Sequence, residues 1–238
     1  MITSLLNDLI RQVWRLRLVI LLGSLFALAA IATAYLAASL AGAPASALTR
    51  DPVSVLGGEF YIGMLSHLSI MLWSASAAVS LLGFTLLRRA QKHPELGLFL
   101  LLSALVSLVL LLDDAFLFHE EVFPKFLSVP ERLVPLGYVL IFLPWLWYAR
   151  RVVFQTDYLL LVAAFSFLGL SFGLDLIFDF GNQGIFLEDA LKFVGIVFWF
   201  VYYFRTASQI VYNKVFETTR EIKTLSDNKE TAHFSDRS

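Results

Sequence analysis

Residues 97–121 read GLFLLLSALVSLVLLLDDAFLFHEE. The first sixteen are apolar or small, and the next nine hold four carboxylates and a histidine. An α-helix rises about 1.5 Å per residue, so about 20 apolar residues are needed to cross a bilayer core about 30 Å thick. The stretch therefore predicts a membrane-spanning helix that ends in a charged cluster.

The composition of the whole chain agrees with this interpretation. Of its 238 residues 58% are hydrophobic and only 16% are charged, and the mean hydropathy is +0.75. Soluble domains carry about a quarter charged residues and under half apolar ones. The composition therefore excludes an ordinary soluble domain, a disordered chain and a nucleic-acid-binding protein. The chain has no cysteine, which excludes disulfides, thiolate catalysis and cysteine-ligated metal centres.

Six apolar stretches are candidates for helical membrane spans. They are Leu18–Ala41, Ile62–Leu87, Gly97–Phe118, Leu133–Tyr148, Tyr158–Phe178 and Leu187–Phe204. The fourth is short and contains Pro144, which should kink it. The expected fold is all-α: a polytopic membrane helix bundle of six transmembrane helices over residues 18–207.

The basic residues predict how the bundle is oriented. Fourteen of the 18 fall before span 1, between spans 2 and 3, between spans 4 and 5, or at the end of span 6 and beyond it. Cytoplasmic loops of membrane proteins are enriched in Lys and Arg. Both termini should therefore be cytoplasmic, in an integral protein of the plasma (inner) membrane.

Two segments flank the predicted bundle. Residues 1–17 repeat apolar positions at helical spacing with polar residues opposite, which is typical of an amphipathic helix lying in the membrane interface. The alternatives are a plain helical lead-in to span 1 and a signal peptide, because Ala-Pro-Ala-Ser-Ala at 43–47 resembles a cleavage region. Residues 208–238 predict a cytoplasmic helical extension and then a polar, disordered tail from Ser226.

The acidic residues lie mainly at the opposite face. Eleven of the 19 fall at the extracytoplasmic ends of spans or in the loops there. Asp113, Asp175 and Asp179 lie near helix C-termini, where the helix dipole disfavours anions. Helix electrostatics gives no reason for them, and ionisable groups inside spans generally indicate function. Helical rise places several polar groups of different spans in one layer below the outer boundary.

This layer supplies the candidate site. We expect a divalent cation (zinc, manganese or magnesium), because histidines and carboxylates share one depth. The expected metal ligands are His67, Asp113, Asp114, His119 and Asp175. Asp179 or Glu120 would be the general base. Supporting roles fall to Tyr138, Glu188, Asp189 and Lys192, and Glu188 and Lys192 are spaced to form an ion pair.

Three smaller features also carry expectations. His67 is costly to place in lipid, so it should face the bundle interior. The serines on the same span should bond their own helix carbonyls and permit close packing. Gly169 and Gly173 form a small-xxx-small pair, which predicts a packing face.

Three functions remain open. The first is a metal-dependent membrane hydrolase acting on a lipid or other amphiphile. The second is a non-catalytic membrane module whose acids bind a partner subunit or a lipid headgroup. The third is a cation- or proton-coupled transporter, although the inner halves of spans 1–5 hold no ionisable residue. His-Glu-x-x-His, Gly-x-Ser-x-Gly and Walker motifs, which would name an enzyme class, are absent.

Overall fold

The computed structural model describes residues 2–42, 52–59, 61–91, 93–129, 134–177, 186–210 and 212. Within these ranges every regular element is a helix and none is a strand, as predicted. The helices are α1 (Ile2–Leu40), α2 (Pro52–Leu56), α3 (Met64–Ala90), α4 (Pro94–Phe116), a π-helical turn (Phe118–Val122), α5 (Phe123–Leu127), α6 (Val134–Val153), α7 (Tyr158–Ile177) and α8 (186–210).

In the part of the chain that the structure describes, three helices are long and apolar enough to cross a membrane. They are the Leu16–Leu40 part of α1, the whole of α3 and the whole of α4. Helix α7 contributes a shorter apolar stretch, Tyr158–Leu174. The first three predicted spans therefore coincide with helices of sufficient length, while the total of six spans and the side of each terminus stay predictions.

The chain divides into two compact units, residues 1–62 and 63–238. In the first unit α1 runs unbroken from Ile2, so the predicted amphipathic segment and the first span are one continuous helix. Its apolar side chains are largely exposed, among them Phe26 at 77%. The helix ends before Gly42, whose positive φ of 67° leaves the helical conformation.

The second unit is organised around a hairpin of α3 and α4. Small residues are buried along both helices, which lets the two backbones approach closely. A Cβ added to Gly83 would lie 2.9 Å from the Leu100 side chain. The Ser76 and Ser103 hydroxyls each donate to the carbonyl one turn back, at 2.7 Å. The prediction for the serines of α3 is therefore confirmed at Ser76 but not at Ser80, whose buried hydroxyl has no hydrogen-bond partner among the described residues.

An aromatic cluster forms the centre of this unit, and α8 supplies its central residue. Trp199 is fully buried. Its ring centroid lies 5.5 Å from Trp73 of α3, 6.0 Å from Trp145 of α6 and 5.6 Å from Phe165 of α7. Aromatic pairs at these separations stabilise a core beyond their buried area. Helix α8 therefore holds three other helices together.

One packing prediction is wrong. A Cβ added to Gly169 or Gly173 would meet nothing within 4 Å, so this pair does not face another described helix. The close approach lies instead at Gly195 of α8. A Cβ there would lie 3.0 Å from the backbone nitrogen of Leu168 and 3.1 Å from the Ala164 carbonyl oxygen. Glycine spacing alone could not show which face of α7 receives α8.

Candidate functional site

Two adjacent carboxylates in the last turn of α4 anchor the site. Asp113 and Asp114 point about 100° apart around the helix, because an α-helix has 3.6 residues per turn. Each carboxylate therefore meets a different set of neighbours. We call this end of the second unit the aspartate end, and the opposite end, which carries Arg88, Arg151 and Arg205, the arginine end.

Asp114 joins three helices. The Trp73 indole of α3 donates to its Oδ2 at 2.8 Å, and the Lys192 ammonium of α8 donates to its Oδ1 at 2.7 Å. The Asp114 side chain is 9% exposed and that of Lys192 is 33% exposed. Both carboxylate oxygens are thus satisfied by charged or polar donors in a largely buried position, which is what a buried charge requires.

Asp113 holds a histidine and a tyrosine. The backbone N–H of His119 donates to Oδ1 at 3.0 Å, and the Nδ1 of the same residue lies 2.6 Å from Oδ2. Tyr138 of α6 also lies close enough to this carboxylate to interact with it. Asp113 is only 5% exposed. The carboxylate therefore fixes the position of the imidazole from a buried site.

A break in the helix brings His119 back to Asp113. Six residues along a continuous α-helix would place the two side chains on different faces. Leu117 instead adopts a left-handed conformation, with φ 52° and ψ 43°, and ends α4. The π-helical turn Phe118–Val122 follows directly. A left-handed non-glycine residue costs about 1–3 kcal/mol, and such strain is concentrated at functional sites.

His119 is partly exposed, but not at the nitrogen that contacts the aspartate. Its side chain is 20% exposed, while the Nδ1 atom itself is buried. A carboxylate beside Nδ1 keeps a proton on that nitrogen, so the other ring nitrogen can act as a proton acceptor. The geometry therefore suits general acid–base chemistry at the surface of the aspartate end.

Exposed phenylalanines surround this histidine along the chain. Phe118 lies between Phe116 and Phe123, with ring centroids 5.9 Å from each. Phe116 is 59% exposed, and Phe126 of α5 is 79% exposed. We call these four residues the phenylalanine ledge. An apolar ledge beside a polar site is suited to an amphiphilic ligand.

The structure brings together five of the residues selected from the sequence. They are Asp113, Asp114, His119, Tyr138 and Lys192, which lie together at the aspartate end. Glu188 and Asp189 lie in the first turn of α8, one turn before Lys192. Asp179, and the side chains of Glu120 and Asp175, lie outside the described residues.

The prediction that His67 faces the bundle interior is wrong. The residue is exposed, and its Nδ1 lies 2.9 Å from the Gly63 carbonyl oxygen. The predicted span begins at Ile62, but α3 begins at Met64, which places His67 in the first turn of the helix. Among the described residues no three histidine or acidic side chains are grouped so that they could hold a metal ion.

Sequence reasoning missed Trp73, the second donor to Asp114. An indole carries no charge and does not stand out in an apolar helix. The available signal was its position: Ser69, Trp73, Ser76 and Ser80 follow one another at alternating spacings of four and three, and all four are buried. A large N–H donor on a face of small hydroxyl residues indicates an acceptor on the neighbouring helix.

Comparison with known proteins yields one match. The model of a family described as "Domain of unknown function (DUF8692)" matches residues 18–206. No curated protein matches the chain, and no solved structure does.

Proposed function

We propose that this chain, which belongs to the DUF8692 family, is a multi-pass enzyme of the plasma membrane that hydrolyses a lipid or other amphiphile at its aspartate end. The observation that carries the proposal is the contact of the buried Asp113 carboxylate with His119, at 2.6 Å. A carboxylate that holds the imidazole of a partly exposed histidine is a recurring arrangement for general-base catalysis.

The proposed topology has six spans and both termini in the cytoplasm. Three helices have the required length and apolarity, and α6, α7 and α8 supply the other three. The arginine end would face the cytoplasm, because Arg88, Arg89, Arg150 and Arg151 are exposed there. The aspartate end would then lie at the outer leaflet.

The proposed reaction uses groups of this chain. Asp113 keeps the proton on Nδ1 of His119, and the other ring nitrogen takes a proton from water as the water oxygen attacks the scissile carbonyl or phosphoryl group. The bond to the leaving group breaks, and the imidazolium returns the proton to that group. Tyr138, which lies close to Asp113, helps to position the carboxylate. Such proton transfers typically contribute about 10²–10⁴-fold to a rate.

The proposed substrate is amphiphilic because of what borders the histidine. The phenylalanine ledge offers exposed apolar rings for a hydrocarbon chain. Lys192 brings a positive charge to the neighbouring carboxylate, Asp114. A substrate could then place its headgroup at the polar site around His119 and its hydrocarbon chain on the phenylalanine ledge.

The aromatic cluster favours this one-sided site over a transporter. Polar groups do occur at the arginine end, where the Tyr202 hydroxyl lies 2.8 Å from that of Thr156. Between them and Asp114 stand Trp73 and Trp199, whose rings are 5.5 Å apart. An indole N–H donates but does not accept, so it cannot relay a proton.

The proposed acid–base mechanism does not require the divalent cation that the sequence predicts. The ligands of that cation would have to include Glu120, Asp175 or Asp179, since the described side chains form no sufficient group. The acid–base scheme stands on Asp113 and His119. Activity measured with added Zn²⁺, Mn²⁺ or Mg²⁺ therefore tests the metal separately from the histidine.

The test uses the full-length protein in vesicles that contain fluorogenic ester, amide and phosphodiester lipids. The wild type should release the fluorophore from at least one class. His119→Ala should lower that rate by about 100-fold or more, because the general base is removed. Glu121→Gln is the matched control. It lies in the same π-helical turn, is exposed and pairs with Lys125 on the next turn, so its rate should equal that of the wild type.

Other outcomes would overturn the proposal. Equal rates for His119→Ala and the wild type would contradict general-base catalysis by this residue. Loss of metal-stimulated activity in His67→Ala with no effect of His119→Ala would favour the metal-dependent alternative. No hydrolysis of any class, with a partner retained only when Asp113 is intact, would favour a non-catalytic binding module.

A further inference from the structure

A groove lies at the arginine end, where α3 turns into α4. Its volume is about 360 Å³, at the lower end of the range of small-molecule sites. Phe84, Leu87 and Leu98 line it together with Arg88 and His93. The groove therefore combines apolar side chains with a guanidinium and an imidazole.

The surroundings of the groove are positively charged. Arg88 and Arg89 are both exposed in the last turn of α3, and the Arg88 guanidinium lies 6.0 Å from the centre of the Phe84 ring. The acid in the first turn of α4 is Glu95. Asp157, also at this end, is paired with Arg205 at 2.8 Å. The charge nearest the groove is thus complementary to an anion.

We propose that this groove binds one acidic phospholipid. The phosphate would lie against Arg88 and His93, and an acyl chain would follow Phe84, Leu87 and Leu98 along the helices. Basic pockets between transmembrane helices on the cytoplasmic side recognise acidic lipid headgroups in this way. The site is separate from the aspartate end, so it does not depend on the proposed hydrolysis.

The experiment measures lipids that stay bound to the full-length protein in detergent, by native mass spectrometry. Phosphatidylglycerol and phosphatidylcholine with the same acyl chains are added in equal amounts. The wild type should retain one phosphatidylglycerol in preference to phosphatidylcholine. Arg88→Ala should lower this retention roughly fivefold, since one basic residue near an acidic lipid surface contributes about 1 kcal/mol.

Two further variants keep the test decisive. Arg151→Ala is the matched control, because this exposed arginine ends α6 at the same end of the unit but does not line the groove. It should retain phosphatidylglycerol like the wild type. Leu98→Trp keeps every charge and fills space in the groove, and it should also lose the lipid.

Three results would overturn the proposal. They are equal losses in Arg88→Ala and Arg151→Ala, equal retention of the two lipids by the wild type, or normal retention in Leu98→Trp. An excess of inorganic phosphate separates the two sources of the anion. It should not displace the lipid, and displacement would indicate a site for free phosphate rather than for a lipid.

Discussion

Two ion pairs with nearly the same geometry lie at the two ends of the second unit. Lys192 and Asp114 are 2.7 Å apart at the aspartate end, and Arg205 and Asp157 are 2.8 Å apart at the arginine end. Their surroundings differ. Asp114 is 9% exposed, whereas Asp157 is 39% exposed and its arginine 54% exposed. Burial, not distance, decides what removing one partner costs, because an unpaired buried charge has no water to replace it.

Breaking the buried pair should have the largest effect on stability. We expect Asp114→Ala to lower the free energy of unfolding by about 3 kcal/mol, at the lower end of the range for buried pairs because Lys192 is one-third exposed. Chemical unfolding of the detergent-solubilised protein measures the loss. The double variant Asp114→Ala/Lys192→Met should recover part of it, since the ammonium is removed together with the carboxylate that accepts from it. A double variant that is no more stable than the single one would contradict this explanation.

The second donor to Asp114, Trp73, sharpens the difference between the two ends. Trp73→Phe keeps most of the ring but removes the N–H that donates to Oδ2 at 2.8 Å. We expect a loss of about 1–3 kcal/mol, the usual cost of leaving a buried acceptor without its donor. Trp145→Phe is a comparison within the same aromatic cluster, without an aspartate partner. If both variants lost equal stability, packing of the indoles would explain the effect and the hydrogen bond would not.

The exposed pair should give the smallest effect. Asp157→Ala is expected to cost at most about 1 kcal/mol, because water solvates the arginine that remains. Raising the salt concentration to about 1 M shortens the Debye length to about 3 Å. The difference from the wild type should then shrink further, while the loss in Asp114→Ala persists. Salt sensitivity of equal size at both ends would mean that the aspartate end is as well solvated as the arginine end.

Much of the aspartate end was predictable from the sequence. The apolar run that ends before Asp113 predicts both carboxylates at one end of α4, and helical rise alone predicts Tyr138 and Lys192 at a similar level. The side of the helix on which each partner lies was not predictable. Spacing along α8 predicts Glu188 as a partner of Lys192, and this pair stays a prediction. The contact of Lys192 with Asp114 depends on how α8 packs against α4.

Local backbone geometry explains the positions of His119 and His67, which the sequence did not predict. The contact between His119 and Asp113 requires the left-handed Leu117, a conformation that a leucine side chain disfavours and that no residue pattern predicts. His67 was placed too deep because the start of α3 lies past the first apolar residue of its span. Composition and periodicity thus predict which polar residues lie at the aspartate end. The exact ends of the helices decide which of their side chains come into contact.

The rate of lipid hydrolysis by Asp113→Asn tests the central claim most directly. Asparagine keeps the size of the side chain but loses the charge that holds the proton on Nδ1 of His119. We predict that kcat falls at least about tenfold, as when a partner that orients a catalytic histidine is lost, while KM is little changed because the ledge is intact. A kcat equal to that of the wild type in a correctly folded variant would contradict the assignment of Asp113 and His119 as an acid–base pair.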